Sequence, residues 1–117
     1  MMISFSPLNL YTMKEVTVQE LKKMMDAKED FTLIDVREDY EAAIATLNGK
    51  LIPMGTVMEN LAEFPTDKKV VVHCRSGKRS ATVISALEEM HGYKNLYNLK
   101  GGILAWADEI DTKMAKY

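Results

Sequence analysis

Only one of the 117 residues is a cysteine, Cys74, so no internal disulfide can form and a disulfide-stapled, extracellular fold is excluded. A reducing compartment, the cytoplasm, is the expected setting. Charge of one sign is also scarce. Fifteen Lys and Arg against seventeen Asp and Glu leave a formal net charge of −2, which argues against a nucleic-acid or membrane binder. No long apolar run is present, and the opening MMISFSPLNLYT has no basic start and is interrupted by Pro7 and Asn9. Neither a signal peptide nor a membrane span is therefore expected. Repeats, linkers and low-complexity tracts are missing too. What remains is a chain of ordinary size with 47% hydrophobic residues, enough to bury one core. The reading is an N-terminal extension over residues 1–12 followed by a single domain over residues 13–117.

The hydrophobic pattern alternates between two periods. Thr17 and Glu20 have capping-box spacing, and Val18, Leu21 and Met25 follow at helical intervals, predicting a helix over 18–27. Phe31 to Val36 reads as a buried strand, a helix over 38–45 follows, and Leu51-Ile52 form a short strand ended by Pro53. A brief helix is expected over 57–63. Val70-Val71-Val72-His73 reads as a strand buried on both faces, and a tight turn from Cys74 to Gly77 leads into a helix. That helix carries Val83, Ala86, Leu87 and Met90 as its apolar stripe, with Gly92 placed to end it. Leu96 to Leu99 reads as the last strand, and a final helix after Gly101-Gly102 is expected to put Ile103, Ala107, Ile110 and Met114 on one face. The nine methionines, Met24, Met25 and Met90 among them, read as core filler. Strands alternating with helices in this way predict a three-layer α/β fold, a mostly parallel five-stranded sheet covered on both faces.

In such folds the crevice that binds ligands lies beyond the carboxyl ends of the strands, which is where Cys74 falls. The segment Cys74-Arg75-Ser76-Gly77-Lys78-Arg79-Ser80 places a thiol on a turn whose successive backbone N–H groups can converge on it. Those amides, the positive end of the next helix and three neighbouring cations all favour thiolate over thiol, so the pKa of Cys74 should lie below its ordinary value. Arg75, Lys78 and Arg79 oppose the dipole at a helix N-terminus, so helix stability does not account for them. An anionic substrate does. The bland reading of Cys74, a small packed hydrophobe, leaves the glycine turn and the three cations unexplained.

This loop resembles the active-site loop of rhodanese-like sulfurtransferases. Asp35-Val36-Arg37-Glu38 is similar to the N-terminal signature of that family, and Gly101-Gly102-Ile103-Leu104-Ala105-Trp106 to its C-terminal one. The resemblance runs from about Val16 to Ile110. The chain departs from the family at Thr46-Leu-Asn-Gly-Lys50, where a His-Ile-x-Gly-Ala segment is usual and this sequence is one residue shorter. The resemblance implies that Cys74 takes a sulfane sulfur from a small anionic donor such as thiosulfate, holds it as a persulfide, and passes it to a thiol, cyanide or protein acceptor. Arg75, Ser76, Gly77, Lys78, Arg79 and Ser80 would bind the substrate. Asp35 and Arg37 would steady the loop from the neighbouring strand end, with Asp35 to Arg79 as the pair expected. No metal or organic cofactor is implied, and the pattern prescribes no oligomeric state.

Two other readings compete. A cysteine phosphatase or arsenate reductase uses a similar cradle, but needs five residues between cysteine and arginine, and Cys74 and Arg79 have four between them. A non-catalytic persulfide carrier or interaction module shares the same chemistry and differs in its partner. One Cys with His73 and His91 on separate elements makes no closed zinc site, and Gly77-Lys78-Arg79 is no phosphate-binding P-loop.

Overall fold

In the computed structural model residues 13–117 are described, and the expected extension over 1–12 lies outside them. The chain forms β1 (Glu15–Val16), α1 (Val18–Asp26), β2 (Phe31–Asp35), α2 (Asp39–Ile44), β3 (Lys50–Leu51), β4 (Lys69–His73), α3 (Lys78–His91), β5 (Leu96–Leu99) and α4 (Gly102–Glu109). The strands make one sheet in the order β1-β5-β4-β2-β3, with every pairing parallel.

The sheet sorts its side chains by the two-residue period of a strand. Val70 and Val72 of β4 face a cluster with Ile34, Val36, Phe64, Val83, Ile84 and Leu87, while Val71 faces Val18, Leu21, Leu99, Ile103 and Trp106. A strand apolar at consecutive positions is what burial on both faces requires. Consequently α3 covers one face, and α1 packed on α4 covers the other. Among the described residues no helix is long and apolar enough to cross a membrane.

The marked helix ends are as the residues dictate. At α1, Glu20 N–H donates to Thr17 Oγ1 (3.1 Å) and Thr17 N–H to Glu20 Oε1 (2.7 Å), completing the capping box. Gly92 ends α3 at φ 68°, its amide reaching the carbonyl of Glu88.

Three expectations are corrected. The helix over 57–63 is two 3₁₀ segments, Met54–Glu59 and Leu61–Glu63, joined at Asn60. The final helix stops at Glu109, because Asp111 turns the chain and accepts from the amide of Lys113; Ile110 and Met114 still pack on the Trp106 cluster from beyond the helix. Met90 is 66% exposed rather than core: the buried stripe of α3 is Ser80, Val83, Ile84 and Leu87, and Tyr93, just past the cap, takes the core position edge-on to Phe64.

The shortened segment near residue 48 closes tightly. Asn48 adopts φ 64° and donates its amide to Thr46 Oγ1 (2.9 Å), and Gly49 lies so close to Leu33 that a Cβ there would come within 2.9 Å of its backbone oxygen.

Candidate active site

The sheet order places Cys74 at a switch point. From β2 the chain passes outward to β3, and from the adjacent β4 it passes the other way to β5, so the connections diverge beyond the carboxyl ends of β2 and β4. The pairing of Asp35 with His73 brings those ends level. Cys74 follows His73 directly and is 1% exposed.

Gly77, at φ 106°, turns the chain so that its amide points back to Cys74 Sγ at 3.1 Å. Ser80, one turn into α3, sets its hydroxyl 3.4 Å from the same sulfur. Burial pushes the Cys74 thiol up, but the Ser80 hydroxyl and the backbone amides of Ser80, Gly77 and Ser76 outweigh it, so the pKa lies below the ordinary value. The amide cradle expected from the sequence is therefore present.

The turn is held by neighbours on both sides. Asn98 of β5 donates from Nδ2 to the carbonyl of Gly77 (3.1 Å) and accepts at Oδ1 from the Ser80 hydroxyl (2.6 Å). The amides of Ile103 and Leu104, at the start of α4, donate to the carbonyls of Cys74 (3.0 Å) and Arg75 (3.1 Å). So close an approach requires glycine at residue 102: a Cβ there would lie 2.4 Å from Arg75 O and 2.7 Å from Cys74 O. Gly102 thus lets the backbone of α4 approach the loop, whereas Gly101 makes room for the Ala105 side chain of α4 itself.

The three cations part ways. Lys78, the first residue of α3, is exposed. Arg79 is pinned by Glu41 of α2 through two bonds of 2.7 and 2.8 Å, and its charge and that of a Cys74 thiolate favour one another. Arg75 turns away along the loop, donating from Nε to the carbonyl of Tyr117 (2.6 Å) and stacking on the Tyr117 ring at 5.1 Å.

The expected pair between Asp35 and Arg79 does not form. Asp35 instead binds Arg37, through Nε (2.9 Å) and Nη2 (2.7 Å), and both side chains are buried. Arg37 completes its shell with the carbonyls of Glu41 (3.4 Å) and Ala45 (2.8 Å) and the hydroxyl of Tyr117 (2.9 Å). Two residues on, the guanidinium reaches its carboxylate without leaving the turn, whereas Arg79 finds Glu41 closer. Asp35 and Arg37 thus bind one another, and Arg37 reaches on to the end of α2 and to Tyr117.

Glu41, Asn98 and Tyr117 are site residues that the sequence pattern did not single out. Glu41 is 3% exposed, and Arg79 foremost, with the amide of Glu38 and the hydroxyl of Tyr117, holds its carboxyl down at about 2 against the cost of burial. A polar residue inside the apolar strand Leu96 to Leu99 was the one available signal for Asn98. Nothing local marks Tyr117.

Comparison with known proteins points to one family. Residues 17–109 match the model of the rhodanese-like domain. The chain is 40% identical over 101 residues to the putative sulfurtransferase YtwF of Bacillus subtilis, covering 86% of this chain and 96% of that protein. It is 35% identical over 105 residues to the probable adenylyltransferase/sulfurtransferase MoeZ of Mycobacterium tuberculosis, covering 87% of this chain but only 26% of that longer protein. Among solved structures, a rhodanese-like domain protein from Staphylococcus aureus superposes with a TM-score of 0.74 at 37% identity, covering 84% of this chain and 95% of that one.

Proposed function

This chain belongs to the family of rhodanese-like domains, and from that membership we infer that it is a sulfurtransferase acting through a persulfide on Cys74. The Cys74 thiolate attacks the terminal sulfur of an anionic donor, thiosulfate being the simplest. A new S–S bond forms, the bond between the two donor sulfurs breaks, and sulfite leaves with the electron pair. A thiolate or cyanide then attacks the outer persulfide sulfur and takes it, returning Cys74 as thiolate. Splitting the transfer into two displacements gives ping-pong kinetics.

The observation that carries this reading is that the Gly77 amide (3.1 Å) and the Ser80 hydroxyl (3.4 Å) reach one sulfur, whose pKa they help hold below its ordinary value. Fixed donors of this kind stabilise an anionic sulfur without reorganising when it forms. The Ser80 hydroxyl has one proton: it can rest on Asn98, and turn to the sulfur once that carries charge. Because Cys74 is so nearly enclosed, a donor must present a single projecting atom, as the terminal sulfur of thiosulfate does. Lys78 and Arg79 supply the positive field that draws and orients its sulfonate end.

Intact-mass analysis of reduced wild type and Cys74→Ser after incubation with thiosulfate tests this directly. The expected result is a gain of one sulfur on wild type alone, removed by cyanide with release of thiocyanate. No adduct on wild type would overturn thiosulfate as donor. If mercaptopyruvate and a protein persulfide also left none, the persulfide mechanism would fall with it.

A further inference from the structure

Tyr117 lies 43 residues beyond Cys74 in the chain, yet it touches more of the charged groups around the site than any residue of the loop. Its hydroxyl accepts from Arg37 Nη1 (2.9 Å) and donates to Glu41 Oε2 (2.9 Å). Its ring lies under two guanidinium groups, Arg37 at 5.8 Å and Arg75 at 5.1 Å, and its carbonyl takes both Nε and Nη2 of Arg75. The segment leading to it is anchored by the ion pair of Lys116 with Asp108 and by Met114 and Tyr117 packing on the α4 cluster. Burial, with the Glu41 carboxylate beside it, holds the phenol's pKa above its ordinary value despite Arg37, so the hydroxyl keeps the proton it donates.

We propose that Tyr117 is a positioning residue for the Cys74 site, acting through Glu41 on Arg79 and directly on Arg75. The inference rests on the sulfurtransferase reading for its consequence, and on geometry for its mechanism. Glu41 divides its negative charge between Arg79 and the Tyr117 hydroxyl. Whatever charge the hydroxyl takes leaves Arg79 less neutralised and more able to favour the Cys74 thiolate and an incoming anion. The ring and carbonyl meanwhile fix Arg75 along the loop, so that the cation next to the nucleophile has one orientation rather than many. The groups that bear on Cys74 are then Asp35 and His73 at the strand ends, Arg37 and Glu41 at α2, Arg75, Lys78 and Arg79 of the loop and α3, and Tyr117.

Tyr117→Phe separates these contributions, because it keeps the ring and carbonyl and removes only the hydroxyl. The primary readout is the pH profile of Cys74 alkylation by iodoacetamide, which reports the thiolate whether or not the protein transfers sulfur. The expected result is a midpoint raised by about half a unit, while the thermal midpoint of unfolding falls modestly because buried Arg37 and Glu41 each lose one partner. With thiosulfate as donor, KM rises about threefold more than kcat falls, since the field on the anion weakens before the chemistry does. In a Glu41→Gln background the same substitution should add nothing further, because its route to Arg79 is already broken. An alkylation profile identical to wild type, or an equal shift in the Glu41→Gln background, would overturn the proposal. A raised midpoint in a protein that forms no persulfide would keep Tyr117 as the positioning residue and refute the sulfurtransferase reading instead.

Discussion

A single added methyl group would be felt most at Gly102. The site has three glycines in left-handed conformations around it, Gly77, Gly101 and Gly102; a Cβ at Gly101 would crowd the Ala105 side chain, but at Gly102 it would meet the backbone of the loop. The carbonyls of Cys74 and Arg75 occupy the volume that a Cβ needs, and neither can retreat without giving up its bond to the first amides of α4. Gly102→Ala should therefore displace the nucleophile's own backbone, and a misplacement of this size lowers kcat/KM by roughly 10- to 100-fold. Gly92→Ala is the control, because Gly92 has a similar φ of 68° with open space around it and ends α3 at the opposite tip from the loop. It should lower stability by about 1–2 kcal/mol and leave the rate untouched. Steady-state thiosulfate:cyanide kinetics beside urea unfolding of both variants would check this. Equal kinetics for the two would show that the close approach at Gly102 does not matter.

At the scale of elements, the carboxyl end of β2 does what the loop cannot do alone. Asp35 and Arg37 form a buried pair in which every guanidinium nitrogen has a partner, and the partners belong to β2, α2 and the segment after α4. Removing the carboxylate strands a buried cation, which costs about 3–5 kcal/mol. Asp35→Ala should show this as a lower urea midpoint, and should loosen α2 and so the Glu41 hold on Arg79. A variant as stable as wild type would mean that water reaches Arg37 and replaces the lost partner. This pair also shows where sequence reading stops. The four strands from β2 to β5, the capping box at Thr17, the Cys74 turn and the Gly92 stop were legible because each is specified by residues within one turn or one strand of one another; β1, two residues long, carries no such pattern and is set by its pairing with β5. The partners of Arg79 and Ser80 were not, since Glu41 and Asn98 come to them only through the sheet order. Asp35 and Arg79 are both at the right ends of their elements, and the nearer partner wins in each case. The stripe of α4 likewise continues in sequence to Met114, while Asp111 stops the helix itself.

Across the whole molecule, the all-parallel sheet gathers the charged ends of β2 and β4 at one point and buries them, which makes the fold sensitive to acid. His73 lies wholly inside, 3.9 Å from Asp35 Oδ2 through its Nε2 and 3.4 Å from the Cys74 carbonyl through its Nδ1. Burial drives its pKa below the ordinary 6.5; Asp35 pulls the other way and Arg37 adds to the lowering. In the unfolded chain the same imidazole takes a proton near 6.5, so between that value and the folded one the unfolded state binds more protons. The contribution of neutral His73 is thus complete above about pH 6.5 and is lost as the pH falls below it, with a slope of up to about 1.4 kcal/mol per pH unit. Glu41 acts in a separate window: its folded value of about 2 lies below the ordinary 4.5, so its contribution is complete above 4.5 and disappears only toward 2. Urea unfolding of wild type and His73→Leu at about pH 7.5, 6.5, 5.5 and 5 isolates the first window. Wild type should lose stability progressively below pH 6.5, and His73→Leu should lose distinctly less over the same interval. Parallel curves would mean that His73 takes its proton inside the fold, with Asp35 as the counter-charge, and that the acid response begins with the carboxylates instead.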